Sequence, residues 1–173
     1  MININWDNVK PASENRLPAG GYIVQIKSSE DNAQKEYIKF EYDIVYGEYK
    51  GYFRELYDHV GFWGGRFIRS YKEKAQPFFK TMLVAFEGTN KNFKFSNDPS
   101  YFVNAYIGIV LSEEEYVGKD GSLKTRLYVS AFKTADDIKK GNFQVAKLKQ
   151  LKGKTSDGFY PIGEDLEDDD LPF

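Results

Sequence analysis

The sequence of 173 residues contains no cysteine and a single histidine, His59. Without cysteine the chain can form no disulfide framework and has no thiol nucleophile or cysteine-ligated zinc. One histidine excludes a multi-histidine metal centre, and no nucleophile–base pair suggests itself. We therefore expect a protein that is not an enzyme and that needs no metal or other cofactor.

Long apolar runs are also missing. No stretch approaches the roughly 20 residues that a membrane-spanning helix needs. The N-terminal segment MININWDNVK lacks the hydrophobic region of a signal peptide. The length suits one domain of ordinary size followed by a tail. We expect a cytoplasmic protein without a membrane partner.

The charges are unevenly distributed along the chain. It has 24 Lys and Arg against 26 Asp and Glu, for a formal net charge of −2. Six of the acids fall in the last ten residues, so residues 1–163 carry 24 basic against 20 acidic side chains, a net charge of +4. A mildly basic body favours a polyanionic ligand, and the acidic end favours a different partner.

The final ten residues, EDLEDDDLPF, join an acidic run to an apolar terminus. Because like charges repel, we expect residues 153–173 to form a disordered tail. At its tip, Phe173 can fill a pocket, its carboxylate can pair with a cation, and Pro172 lowers the cost of ordering. A tail that served only solubility would need no such terminus. The residues predicted to bind a partner protein are Asp168, Asp169, Asp170, Leu171, Pro172 and Phe173.

The pattern along residues 1–152 predicts five strands and a helical region. The predicted strands are residues 22–27, 36–46, 49–57, 101–111 and 123–133. Residues 58–65 form a glycine-rich loop, and residues 66–86 read as mainly helical, with Pro77 in the first turn of a second segment. Three strands, a helix and a hairpin are the element order of the OB-fold, a five-stranded Greek-key barrel. Another small all-β barrel or sandwich with one helix is the alternative.

Aromatic residues are abundant, with 13 Tyr, 14 Phe and 2 Trp making up 17% of the chain. A core does not easily absorb so many tyrosine hydroxyls, so some rings should lie at the surface, where they can stack on bases. Strands two and three of an OB barrel and two of its loops usually bind oligonucleotides. Any one of the candidates can equally be a core or solvated residue. The predicted stacking residues are Tyr37, Tyr52, Trp63 and Tyr128, and the predicted phosphate ligands are Lys39, Arg54, Arg66 and Arg126.

The terminus resembles the C-terminal tip of bacterial single-stranded DNA-binding proteins, in which acids precede an Ile/Leu-Pro-Phe end. The stretches INWDNV, LPAGGYIVQI and YIKFEYDIVYGEYKGYF are similar to a small family of phage replication-module proteins assigned the same role. The resemblance implies a protein that coats and protects single-stranded DNA in phage replication, recombination and repair, in the bacterial host cytoplasm. It also implies that the tip recruits host or phage replication and repair proteins. Leu171 stands where bacterial tips usually have Ile.

Other interpretations remain open from the sequence. Glu41, Asp43, Glu55 and Asp58 alternate along the predicted strands and could hold magnesium in a nuclease or other replication enzyme with the same tail. A DNA mimic is disfavoured because its body should be acidic. A single OB barrel has a modest footprint, so a homodimer or a higher oligomer would suit the proposed role.

Overall fold

The computed structural model describes residues 1–9 and 16–151. The predicted tail, with the partner-binding residues 168–173, lies outside these residues, so the tail stays a prediction. Within the described part of the chain, no helix is long and apolar enough to cross a membrane.

Five antiparallel strands form one sheet in the order β3-β2-β1-β4-β5. The strands are β1 (Gly20–Asn32), β2 (Tyr37–Ile44), β3 (Arg66–Ser70), β4 (Tyr106–Val117) and β5 (Leu123–Lys133). The described helices are α1 (Tyr52–Val60), α2 (Gln76–Thr89) and the short α3 (Ala135–Lys139). A mostly antiparallel β-protein with a few helices is therefore confirmed. The sheet is not closed into a barrel, because no main-chain ladder joins β3 to β5 in the described residues.

The hydrophobic core lies between the sheet and α2. Alternation along β2 places Ile38, Phe40, Tyr42 and Ile44 on one buried face, as predicted. The ring of Phe40 stacks on Phe67 of β3 with centroids 4.7 Å apart, and it meets Phe102 edge-on at 5.0 Å. From α2, the core receives Phe79, Met82 and Phe86. Phe102, which precedes β4, also meets Phe86 of α2 with centroids 5.1 Å apart, so these rings join the second and third strands to the helix.

The prediction of a strand at residues 49–57 is wrong, because most of this segment forms α1. The helix begins after Gly51, which has φ +78°, and it directs buried Phe53 and half-buried Leu56 to the core. Asp43 of β2 supplies the acceptor that the helix start lacks locally. Its Oδ1 accepts from the backbone N–H of Phe53 at 3.0 Å and of Ile44 at 2.8 Å. A contact ten residues away in sequence thus favours a helix where local alternation favoured a strand.

The prediction of a helix from residue 66 is also wrong in its first part, since Arg66–Ser70 forms β3. In this strand Phe67 pairs with Phe40 and Ile68 with Lys39 of β2. The predicted second helical segment is confirmed as α2, with Pro77 in its first turn. Both predicted limits of β5 are confirmed, whereas β4 begins at Tyr106, after a 3-10 turn at Pro99–Phe102.

We expect Asp43→Ala to lower the free energy of unfolding by about 1–2 kcal/mol, because the start of α1 loses its acceptor. Chemical unfolding followed by circular dichroism would measure the change. Asp58→Ala, at the exposed end of the same helix, is the matched control and should cost less than about 0.5 kcal/mol. Equal stability of the two variants would contradict the role assigned to Asp43.

Candidate nucleic-acid interface

The two edge strands of the sheet, β3 and β5, face each other across an open seam. A groove of about 750 Å³ runs along this seam and is also bordered by α2. Its walls carry apolar side chains, such as Phe67 and Phe132, and basic ones, such as Lys39 and Lys133. The groove therefore combines apolar surface with positive charge.

A second groove, of about 610 Å³, lies between β5, α1 and the loop before β3. It shares Arg66 and four consecutive β5 residues, Arg126 to Val129, with the first groove. A third groove of about 390 Å³, near the β4–β5 hairpin, shares Arg16, Tyr116 and Thr125 with the second. The three grooves follow one another along β5, and we call them together the β5 cleft.

Two arginines occupy the stretch that the first two grooves share. Arg66 donates from Nε to the backbone carbonyl of Trp63 at 2.9 Å, and its Nη2 lies 3.9 Å from a Glu41 carboxylate oxygen. Arg126 donates from Nε to Glu114 Oε1 at 3.0 Å, with its guanidinium 4.8 Å from the centre of the Tyr116 ring. Both side chains remain about half exposed. They are oriented by neighbours and still accessible to an anion.

Tyr128 lies beside Arg126 on β5 and lines both of the larger grooves. The Lys149 ammonium lies 5.8 Å from the centre of its half-buried ring. Burial, and then the nearby Glu114 carboxylate, raise the pKa of the Tyr128 hydroxyl. The hydroxyl is therefore neutral at physiological pH, and the ring adds no negative charge to the cleft.

The structure brings five of the eight predicted DNA-binding residues to the cleft. Lys39, Arg66, Arg126 and Tyr128 line the first groove, and Tyr52 lines the second. Lys39 also forms an ion pair of 3.2 Å with Glu30. The Tyr52 ring packs against Phe53 with centroids 5.2 Å apart, and its hydroxyl accepts from the Leu17 N–H at 3.3 Å. Tyr52 is therefore fixed by packing at the edge of the groove.

The other three predicted residues do not line these grooves. Asn32 Nδ2 donates to the Tyr37 hydroxyl at 3.2 Å across the β1–β2 hairpin. Arg54 pairs with Asp58 at 3.5 Å on the exposed side of α1. Trp63 Nε1 donates to the carbonyls of Tyr42 and Gly65 at 3.0 and 3.2 Å. Each of these side chains instead makes a contact within the fold.

Two exposed phenylalanines line the cleft and were not among the predicted site residues. Phe62 is 59% exposed beside the second groove, and Phe78 is 56% exposed beside the first. Phe78 and Phe79 are neighbours on α2, but only Phe79 is buried. Adjacent helical residues point about 100° apart, so one of two neighbouring rings can face the core while the other faces outward. That spacing is the feature of the sequence that could indicate an exposed Phe78. Nothing in the sequence indicates that Phe62 is more exposed than Trp63.

The carboxylates considered for magnesium binding do not form a cluster. Asp43 is buried and caps α1, and Asp58 lies on the exposed side of that helix, paired with Arg54. Over residues 1–9 and 16–151, no group of three or more His, Cys, Asp or Glu side chains could hold a metal ion.

A family model matches residues 2–116, well over half of the chain, from the N-terminal segment to the last residues of β4. Its description is "Protein of unknown function (DUF669)". No curated protein is similar enough to the chain to count as a match. The chain belongs to the DUF669 family.

Proposed function

We propose that this protein binds single-stranded DNA along the β5 cleft, coating and protecting the strand in phage replication, recombination and repair. We propose further that its C-terminal tip recruits replication and repair proteins of the host or phage. The observation that carries the proposal is the cleft itself, where Arg126 and the half-buried Tyr128 ring of β5 lie beside Arg66 of β3 and the exposed rings of Phe62 and Phe78. Proteins that hold single strands combine basic side chains that contact phosphates with rings on which bases stack.

The sheet topology supports an OB-type barrel as the framework. The order β3-β2-β1-β4-β5 is that of an OB barrel opened between its third and fifth strands, and α2 stands between β3 and β4, where that fold has its helix. The rings of Phe67 and Phe132 meet across the opening with centroids 5.3 Å apart. We propose that this opening, rather than a closed wall, receives the DNA.

The dimensions and charges of the cleft define the expected binding mode. The 11 residues of β5 extend roughly 35 Å, which suits the shorter end of the about 4–16 nucleotides that OB domains bind. Arg16, Arg66, Lys124 and Arg126 are spaced along this length. Four phosphate contacts would give a slope of log affinity against log salt of about −3 on single strands. No described helix carries a basic face suited to a duplex groove.

A titration of fluorescently labelled oligonucleotides tests the proposal. Anisotropy should report tighter binding to a mixed-sequence single strand than to its duplex, with affinity falling as salt rises. Equal affinity for the two would contradict it. Gel analysis of the same samples with magnesium should show an intact strand, whereas degradation would favour the nuclease alternative.

We expect Phe62→Ala to weaken single-strand binding by about 1–3 kcal/mol, the usual effect of losing one stacked base. The ring is exposed beside the second groove, so its removal should leave the fold intact. Tyr46→Ala is the matched control, because Tyr46 is equally exposed but packs under Lys139, away from the cleft. Anisotropy titrations of both variants make the comparison, and equal losses would show that Phe62 has no specific role.

A further inference from the structure

A buried arginine, Arg69 of β3, spans the seam between the edge strands. It is 7% exposed. Its Nη2 donates to the backbone carbonyl of Val129 on β5 at 3.1 Å, and its Nη1 donates to the Ile68 carbonyl at 3.3 Å. The guanidinium lies 4.6 Å from the centre of the Phe132 ring and 5.9 Å from that of Phe67. Burial lowers the pKa of Arg69 to about 10, so the side chain stays charged near neutral pH.

Burying a charge costs free energy, so the buried guanidinium is expected to add little to the net stability of the fold. Its position indicates another role. β3 and β5 share no main-chain ladder in the described sheet. The guanidinium of Arg69 supplies a hydrogen bond across the gap between them. Its acceptor, Val129, directly follows Tyr128 and lies three residues from Arg126. Arg69 itself lies three residues from Arg66.

We propose that Arg69 is a positioning residue that sets the width of the seam. The width in turn sets the distance between Arg66 on one side of the β5 cleft and Arg126 and Tyr128 on the other. This inference rests on the proposed binding of single-stranded DNA. A flexible arginine can follow a phosphate that moves, but a stacking ring must stand at a fixed distance from the base. Loss of Arg69 should therefore weaken stacking while the number of phosphate contacts stays the same.

Two variants distinguish this role from direct phosphate binding. Arg69→Met keeps the apolar packing but loses both the guanidinium hydrogen bonds and the charge. Arg69→Lys keeps the charge and can offer one donor to the Val129 carbonyl. We expect about tenfold weaker single-strand binding for Arg69→Met, comparable to one lost base stack, and an intermediate loss for Arg69→Lys. The salt slope should be unchanged in both. A slope shallower by about 0.7 in Arg69→Met would identify a phosphate ligand and overturn the proposal.

The width of the seam can be measured without DNA. Because the chain has no cysteine, spin labels can be placed on cysteines introduced at exposed Lys74 and exposed Asp136, which follow the C-terminal ends of β3 and β5. Pulsed electron resonance should give a narrow distance distribution for the parent chain and a shifted or broader one for Arg69→Met. An unchanged distribution overturns the inference, whatever the DNA titrations give. Failure of the parent chain to bind single strands would instead contradict the proposed function.

Discussion

Replacing both Arg66 and Arg126 with alanine should make the salt slope of single-strand binding shallower by about 1.4, since each lost phosphate contact removes about 0.7. Affinity at low salt should fall about tenfold to a hundredfold, as expected for two charge-assisted contacts whose arginines already have acidic neighbours. Both residues line the stretch that the two larger grooves share. Anisotropy titrations at several salt concentrations would measure slope and affinity together.

The matched control removes the same charge elsewhere. Arg54 pairs with Asp58 on the exposed side of α1, and Lys80 is exposed on α2. The double variant Arg54→Ala/Lys80→Ala should leave the slope within experimental error of the parent chain. If both double variants change the slope equally, binding depends on overall charge, and the cleft has no special part in it.

Removing residues 171–173 should abolish the recovery of replication and repair proteins from a host lysate, while single-strand affinity changes little. The reason is that the tip supplies the aromatic ring and the terminal carboxylate for a partner's pocket, and neither is expected to contact DNA. Affinity pull-downs with mass spectrometry would compare the full chain with this truncation and with Phe173→Ala. If all three recover the same proteins, the recruitment proposal is wrong.

A longer truncation separates the acidic run from the tip. Removing residues 164–173 deletes six carboxylates, and we expect it to raise single-strand affinity at low salt, because the tail no longer competes for the basic cleft. The gain should shrink as salt screens the charges. A gain that persists at high salt would contradict an electrostatic cause.

The sequence predicted those parts of the fold where local periodicity and tertiary packing agree. In β2, alternation identified the buried face because one side of the strand lies against the core. It failed at residues 49–57, where the Asp43 carboxylate stabilises a helix start from a distant strand. It failed again at residues 66–70, where pairing with β2 outweighs a helical apolar spacing. Both errors come from partners that are remote in sequence.

The candidate site was only partly predictable for a similar reason. Residue types indicated stacking and phosphate binding, and Arg126 and Tyr128 were identified on a correctly predicted strand. Which edges of the sheet face each other depends on the strand order, and no local pattern encodes that order. Trp63 was predicted to stack on a base and Phe62 was not, but the indole N–H of Trp63 donates to the carbonyls of Tyr42 and Gly65. The difference in burial thus distinguishes Trp63 from Phe62, two neighbouring aromatic residues that the sequence alone does not distinguish.

The position of bound DNA on this chain is the most direct test of the account. Photocrosslinking of an oligonucleotide containing 5-iododeoxyuridine, followed by peptide mass spectrometry, identifies the aromatic residues that contact bases. The β5 cleft predicts crosslinks at Phe62, Phe78 and Tyr128, each of which should be lost when an excess of unlabelled single strand, but not duplex, is added. Crosslinks confined to exposed rings outside the cleft, such as Trp6, Tyr46 and Tyr57, would contradict it.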